Sequence, residues 1–159
     1  MKKILMALAV AAATFSSAAM AQGISMKGLM FGGVVGFAKP HGSDNESGGT
    51  IGVRVGQPIQ GAISWEADAN LGIIDGQLGS NHDYNINSIA GYGVYRTQGD
   101  VHLKAKLGVS YWHDDLDHDT SLSAGIGLGL RMGRGIIDVE YTQINSYVDY
   151  VTVSYTMPF

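Results

Sequence analysis

Val101-His102-Leu103-Lys104-Ala105-Lys106-Leu107-Gly108-Val109-Ser110-Tyr111 alternates apolar residues with polar residues or glycine without a break. Side chains of an extended strand point to opposite faces with a period of two. This stretch therefore has one face of Val, Leu, Ala and Tyr and another of His, Lys, Gly and Ser, which is the signature of a strand with two different surroundings. Working outward, the same alternation recurs. On the C-terminal side, Leu122, Ala124, Ile126, Leu128 and Leu130 form one face, then Ile137, Val139 and Tyr141, then Val151, Val153, Tyr155, Met157 and Phe159. On the N-terminal side, Ile86, Ala90, Tyr92 and Val94 are assigned to one face, preceded by Ile63, Trp65, Ala67, Ala69 and Leu71, and by Ile51, Val53 and Val55. The earliest run, Leu29, Phe31, Gly33, Val35 and Phe37, is the weakest, because its other face (Met30, Gly32, Val34, Gly36, Ala38) is also apolar or glycine. The reading is eight strands. In the fourth, Ser88 falls on the assigned apolar face, and Ile89 and Tyr95 fall on the opposite one.

The connections alternate in length. Gln57 to Gln60, Gln98-Gly99 and Arg134-Gly135 are read as tight hairpin turns, with proline or glycine where turn chemistry asks for them. Pro40 to Gly49, Ile73 to Asp83 and His113 to Asp119 are longer and polar, and Gln143 to Tyr147 is short. Before the strands, residues 1–21 have the form of a secretory signal peptide: Lys2 and Lys3, an apolar core from Ile4 to Thr14, and Ala19-Met20-Ala21 as the cleavage site. The apolar core is too short for a stable spanning helix, and no later window approaches the ~20 apolar residues such a helix needs. The expected mature domain is 22–159. Formal charge is −4 for the whole chain, and −6 once Lys2 and Lys3 are removed, with no basic patch, so nucleic acid is not an expected partner. The absence of cysteine excludes disulfides and thiolate metal sites.

A soluble barrel hides its apolar faces, whereas a membrane barrel turns them outward. The signal segment, the even strand count, strands of ~10 residues and the alternation of short turns with long loops all favour the second. The predicted fold is an all-β, eight-stranded antiparallel up-and-down transmembrane barrel, with outer-membrane lipids around it. Aromatic residues on the apolar faces fall near the two ends: Phe31, Trp65, Tyr155 and Phe159 near the short turns, Phe37, Tyr111 and Tyr141 near the long loops. Such girdles mark the two interfaces of a bilayer. The polar faces carry Arg54, Glu66, Asp68, Lys104, Lys106, Arg131, Asp138 and Glu140. An eight-stranded barrel has room inside only for side chains, so these eight are expected to form a packed interior cluster. With Arg134-Gly135 as the turn, Arg131 would oppose Asp138 and Gly129 would oppose Glu140; with Gln98-Gly99 as the turn, Lys104 would oppose Gly93 and Lys106 would oppose Gly91.

Residues 27–159 resemble the small eight-stranded outer-membrane barrels of Gram-negative bacteria, the opacity-protein, OmpX and Ail type, related in architecture to the OmpA membrane domain. The resemblance rests on the opening strand Gly28-Leu29-Met30-Phe31-Gly32-Gly33-Val34-Val35-Gly36-Phe37 and on the ending Val151-Thr152-Val153-Ser154-Tyr155-Thr156-Met157-Pro158-Phe159. That ending is similar to the signal read by the barrel-assembly machinery, through Val151, Val153, Tyr155, Met157 and Phe159, with Pro158 as a departure. The resemblance implies residence in the outer membrane and passage through that machinery. It is specific for fold and location; members of the group include adhesins, serum-resistance factors and small pores, so fold does not fix function.

His113-Asp114-Asp115-Leu116-Asp117-His118-Asp119 begins like a calcium loop at Asp115-x-Asp117-x-Asp119. The glycine that should follow is missing and Ile126 stands at the twelfth position. No metal or other cofactor is assigned. His102 and Glu140 face inward without a serine motif of the lipid A deacylase barrels, so no catalytic residues are assigned either. The leading functional expectation is a structural or surface-interaction (adhesin-like) protein whose loops meet an extracellular ligand. A narrow pore and a lipid-active enzyme are the alternatives. Deleting Phe159 should slow insertion and leave precursor in the periplasm; equal outer-membrane yields of truncated and intact protein, by cell fractionation, would remove the assembly role from this residue.

Overall fold

In a computed structural model of the chain, residues 28–41, 45–78, 82–113, 118–145 and 148–159 are described. The expected signal segment 1–21 lies outside the described residues, as do parts of each long connection. The strands are β1 (Met30–Pro40), β2 (Gly48–Gln60), β3 (Ile63–Ile74), β4 (Gly76–Leu78), β5 (His82–Tyr84), β6 (Asn87–Arg96), β7 (Val101–His113), β8 (His118–Met132), β9 (Gly135–Gln143) and β10 (Val148–Pro158). Eight of them close a barrel in the order β1-β10-β9-β8-β7-β6-β3-β2, every pair antiparallel. The remaining two, β4 and β5, form a small hairpin within the connection Ile73 to Asp83. Closure through β1 and β10, from Met30 opposite Pro158 to Pro40 opposite Val148, leaves the wall without an edge.

The barrel is inside out relative to a water-soluble one. Among the described residues nineteen buried side chains are polar or charged and ten are apolar, while Val35, Leu103, Leu107, Leu122, Ile126, Leu128, Val139 and Val153 lie exposed on the outer face. An apolar surface that runs around the whole molecule far exceeds the patch a soluble monomer shows; lipid is the solvent that fits it.

One strand faces the opposite way from the sequence reading. On β6, Ser88, Ala90, Tyr92 and Val94 are buried inside, and Ile89, Gly91, Gly93 and Tyr95 point out; Ile86, just before the strand, is buried as well. The reason lies at the end of the strand. Arg96 shares the parity of Tyr92 and Val94, and it reaches Glu66 and Asp138 in the interior. An arginine on the opposite face would stand in hydrocarbon. Glycine on the lipid side loses no packing partner within the protein, so Gly91 and Gly93 are the less costly outward residues.

Two hairpin registers also differ. β8 turns into β9 through Gly133-Arg134, with Gly133 at φ +60°, a conformation that favours glycine. Gly129 thus opposes Asp138 and Gly127 opposes Glu140. Between β6 and β7 the loop is wider than two residues: Lys104 opposes Arg96 and Lys106 opposes Val94, because Thr97 closes the loop through its own backbone and hydroxyl to Leu103 (2.9 and 2.8 Å). The first hairpin turns at Gly61, φ +56°, later than Gln57 to Gln60.

The orientation of β6 has a direct test. Gly91→Leu adds a side chain to the lipid face and should change stability by less than about 1 kcal/mol, whereas Ala90→Leu, one residue away, overpacks the interior and should cost about 1–3 kcal/mol. Urea unfolding from lipid vesicles measures both, and the reverse ranking would restore the original facing.

Candidate functional site

The lower half of the lumen, toward the short turns, is an ion network. β2 supplies Arg54, β3 Glu66 and Asp68, β6 Arg96, β7 His102, Lys104 and Lys106, and β9 Asp138 and Glu140. The Arg54 guanidinium donates two bonds to Asp68 (Nε to Oδ1 2.7 Å, Nη2 to Oδ2 2.8 Å), one to Ser154 Oγ at 2.9 Å, and a short one to Glu140. Its approach to Glu66 is longer, 3.6 Å. Lys104 Nζ lies between three acids: Glu66 at 2.7 Å, Glu140 at 2.9 Å and Asp138 at 3.2 Å. Lys106 Nζ reaches Glu140 at 2.8 Å and lies 4.5 Å above the Tyr92 ring. Arg96 completes the set through Ser64 Oγ at 2.9 Å, Asp138 at 3.2 Å and a short bond to Glu66.

Arg131, expected in this cluster, is not in it. It is exposed and opposes Ile136, and its backbone N–H bonds Asp100 O at 2.7 Å. The two-residue register shift at Gly133 carries it past the last interior layer to the rim. Arg96 occupies the role instead, and the sequence signal that could have found it was the mismatch at Ser88, Ile89 and Tyr95. The balance survives the exchange: Arg54, Arg96, Lys104 and Lys106 face Glu66, Asp68, Asp138 and Glu140, four against four.

β8 makes the space. Its inward positions Gly125, Gly127 and Gly129 stand between the charged faces of β7 and β9. A Cβ at Gly129 would overlap His102 Nε2 and Asp138 Oδ1; one at Gly127 would come within 2.8 Å of Glu140 Cγ and 2.7 Å of Val139 O. Long charged chains do oppose glycines, then, but those of β8 and not those of β6. A void of about 10 Å³ remains beside Arg54, Ser64, Glu66 and Arg96, room for roughly one water.

Toward the long loops the lumen also holds an apolar cluster, set beyond the buried Thr50, Asn70, Ser88, Ser110 and Thr142, which the reading of a packed charged interior did not anticipate. Ala38, Tyr84, Ile86, Ile144, Val148 and Tyr150 form a buried cluster, with Trp112 packed against it. Tyr84, at the end of the β4–β5 hairpin, fixes this cap. Its hydroxyl lies 3.0 Å from Ala38 O and 2.7 Å from Glu46 O and accepts the Gly48 N–H at 3.0 Å. Ile144 turns inward beyond β9, and its carbonyl accepts the hydroxyls of Ser110 (2.8 Å) and Ser121 (3.1 Å).

Outside, Phe31, Trp65 and Tyr155 lie near the short-turn end, with Phe159 just past β10 at 87% exposure; Phe37, Tyr111 and Tyr141 lie near the other end. Tyr95 joins the lower group, having been placed on the inner face by the sequence reading. On β10, Val151, Val153, Tyr155 and Met157 all face outward. Charge is divided along the axis. Among the described residues the long-loop end carries Glu46, Asp75, Asp83, Asp119 and Asp149 against a single lysine, Lys39, while the short turns carry Arg131, Arg134 and Asp100. Of the calcium-like loop, 114–117 lies outside the described residues.

No family model matches the chain, and neither does any curated protein. Solved structures do. Neisserial surface protein A is similar at 18% identity and a TM-score of 0.61 over 82% of this chain and 97% of that one. A de novo designed transmembrane β-barrel is similar at 18% identity and 0.51, over 81% and 92%. The Yersinia pestis outer membrane protein Ail in a phospholipid bilayer nanodisc is similar at 14% identity and 0.51, over 82% and 99%. At these identities the likeness is one of fold. The molecule is a closed eight-stranded transmembrane β-barrel of the outer-membrane type.

Replacing Arg54 with Ala leaves Asp68 only the 3.6 Å approach of Lys106 and the buried network one positive charge short, and should cost about 3–5 kcal/mol. Arg131→Ala, at the exposed rim, should stay within about 0.5 kcal/mol. Unfolding of the two variants from lipid vesicles in urea checks the pair.

Proposed function

We propose that the protein is an exported outer-membrane barrel that conducts nothing and serves as a rigid support for loops that meet a partner outside the cell. The carrying observation is the doubly closed lumen: an electroneutral ion network below and an apolar cap held by Tyr84 above. A solute path would have to break buried pairs or displace aromatic side chains. A lipid face immersed in acyl chains cannot select a soluble ligand, and turns on the periplasmic side do not meet one. Recognition then falls to Pro40 to Gly49, Ile73 to Asp83, His113 to Asp119 and Gln143 to Tyr147, where polar segments tolerate change without disturbing the wall.

The same closure weighs against catalysis within the lumen. The His102–Asp138 pair, 3.2 Å apart, is buried, and even a Cβ at Gly129 would overlap both of its side chains. Its charge balance suits a structural role. On this reading the loop end, rich in carboxylate, favours partners that present positive charge or bring cations with them.

Planar-bilayer recordings of the purified barrel should show no stable openings. Shortening the first three loops to tight turns should leave a heat-modifiable, protease-resistant barrel and abolish the adhesion or surface phenotype of the intact protein. Stable conductance, or a trimmed barrel that keeps the full phenotype, would move the function into the barrel body.

A further inference from the structure

The geometry points to a two-histidine site for a transition-metal ion on the outer face of the β7–β8 hairpin, formed by His113 and His118. The two residues are direct partners in the ladder. Both are exposed, and their ring centres lie 6.3 Å apart, with planes inclined by 56°. They stand above Tyr111, whose ring centre is 6.4 Å from that of His118, so the pair sits on the loop side of the upper aromatic girdle. The reading rests on the proposed orientation only for which compartment supplies the metal; the pair itself does not depend on it.

The spacing suits chelation. A nitrogen ligand holds zinc at about 2.0–2.1 Å, which places two bound imidazole centres roughly 5–6 Å apart around one ion. From 6.3 Å, small side-chain rotations suffice, because the antiparallel ladder already fixes both Cα atoms. Two neutral nitrogen donors suit zinc, copper or nickel, whereas oxygen ligands suit calcium and magnesium. Remaining coordination positions would be filled by water or by a donor from a partner, which makes the site a bridge as well as a ligand set. The surplus of carboxylates at this end raises the local concentration of any cation. The plain alternative is a cross-strand contact between two aromatic rings, selective for no ion.

The test uses the intact barrel without an affinity tag, folded in lipid vesicles, titrated with Cu²⁺ and followed by electron paramagnetic resonance. One Cu²⁺ per barrel with nitrogen couplings from two imidazoles is expected, displaced by Zn²⁺ and not by an equal concentration of Ca²⁺. His113→Gln and His118→Gln should each weaken binding at least tenfold, while His41→Gln, at a histidine engaged with Asp149 at 2.8 Å, should leave it unchanged. Heat modifiability of each variant establishes that the barrel is folded. Equal affinity in the two hairpin variants, displacement by Ca²⁺, or a spectrum lacking nitrogen couplings would each overturn the assignment.

Discussion

Four cations and four carboxylates enclosed in a lumen only a few side chains wide set the terms for the rest of the molecule. Each ion loses its hydration when the barrel forms, and mutual pairing must make good that loss. Lys104 meets three acids and Arg54 at least two, so no charge depends on a single partner. The strand positions, the glycines and the shape of the hairpins all serve this arrangement. Inward glycines on β8 provide the volume that the chains from β7 and β9 occupy. A wider barrel would admit water among the ions, and a narrower one could not hold them.

Period two made the barrel legible from the sequence, because each strand has a polar face and a lipid face and the turns between them are short. Facing was readable wherever a charge stood in mid-strand, as at Arg54, Glu66, Lys104 and Asp138. It failed on β6, where the inward face is Ala90, Tyr92 and Val94 and the outward face includes Gly91 and Gly93. Hydrophobicity alone assigns the first set to lipid. The charged residue that decides the matter, Arg96, stands at the end of the strand, where a turn was expected to begin. Arg131 was misplaced for a related reason: parity put it inside, but depth along the axis depends on where the chain turns, and two residues of register separate a buried layer from the rim. The apolar cap could not be read, since Tyr84, Ile144 and Val148 belong to or border loops that show no periodicity.

The two halves of the lumen close it by different physics. Ion pairs below gain strength where water is scarce, and the apolar cluster stands between them and the long-loop end. Tyr84 joins the layers of this seal to the loops, because its hydroxyl bonds the backbone at Ala38, Glu46 and Gly48. The β4–β5 hairpin is thereby tied to the connection between β1 and β2, giving the loop end a fixed foundation even though its sequence is polar and glycine-rich.

The distribution of charge around the wall bears on how such a cylinder can be made. Inward side chains of β1 are Met30, Gly32, Val34, Gly36 and Ala38, and those of β10 are Val148, Tyr150, Thr152, Ser154 and Thr156; neither strand places an ion in the lumen. Every ionised residue of the lumen network belongs to β2, β3, β6, β7 or β9. On its lumen side the seam between the first and last strands therefore carries no charge of its own, while on the outer side Lys39 stands opposite Asp149. Joining the two ends zips backbone to backbone past methyl groups and hydroxyls, and the same step brings Arg54 of β2 to Glu140 of β9, so the ion network is completed only as the cylinder closes.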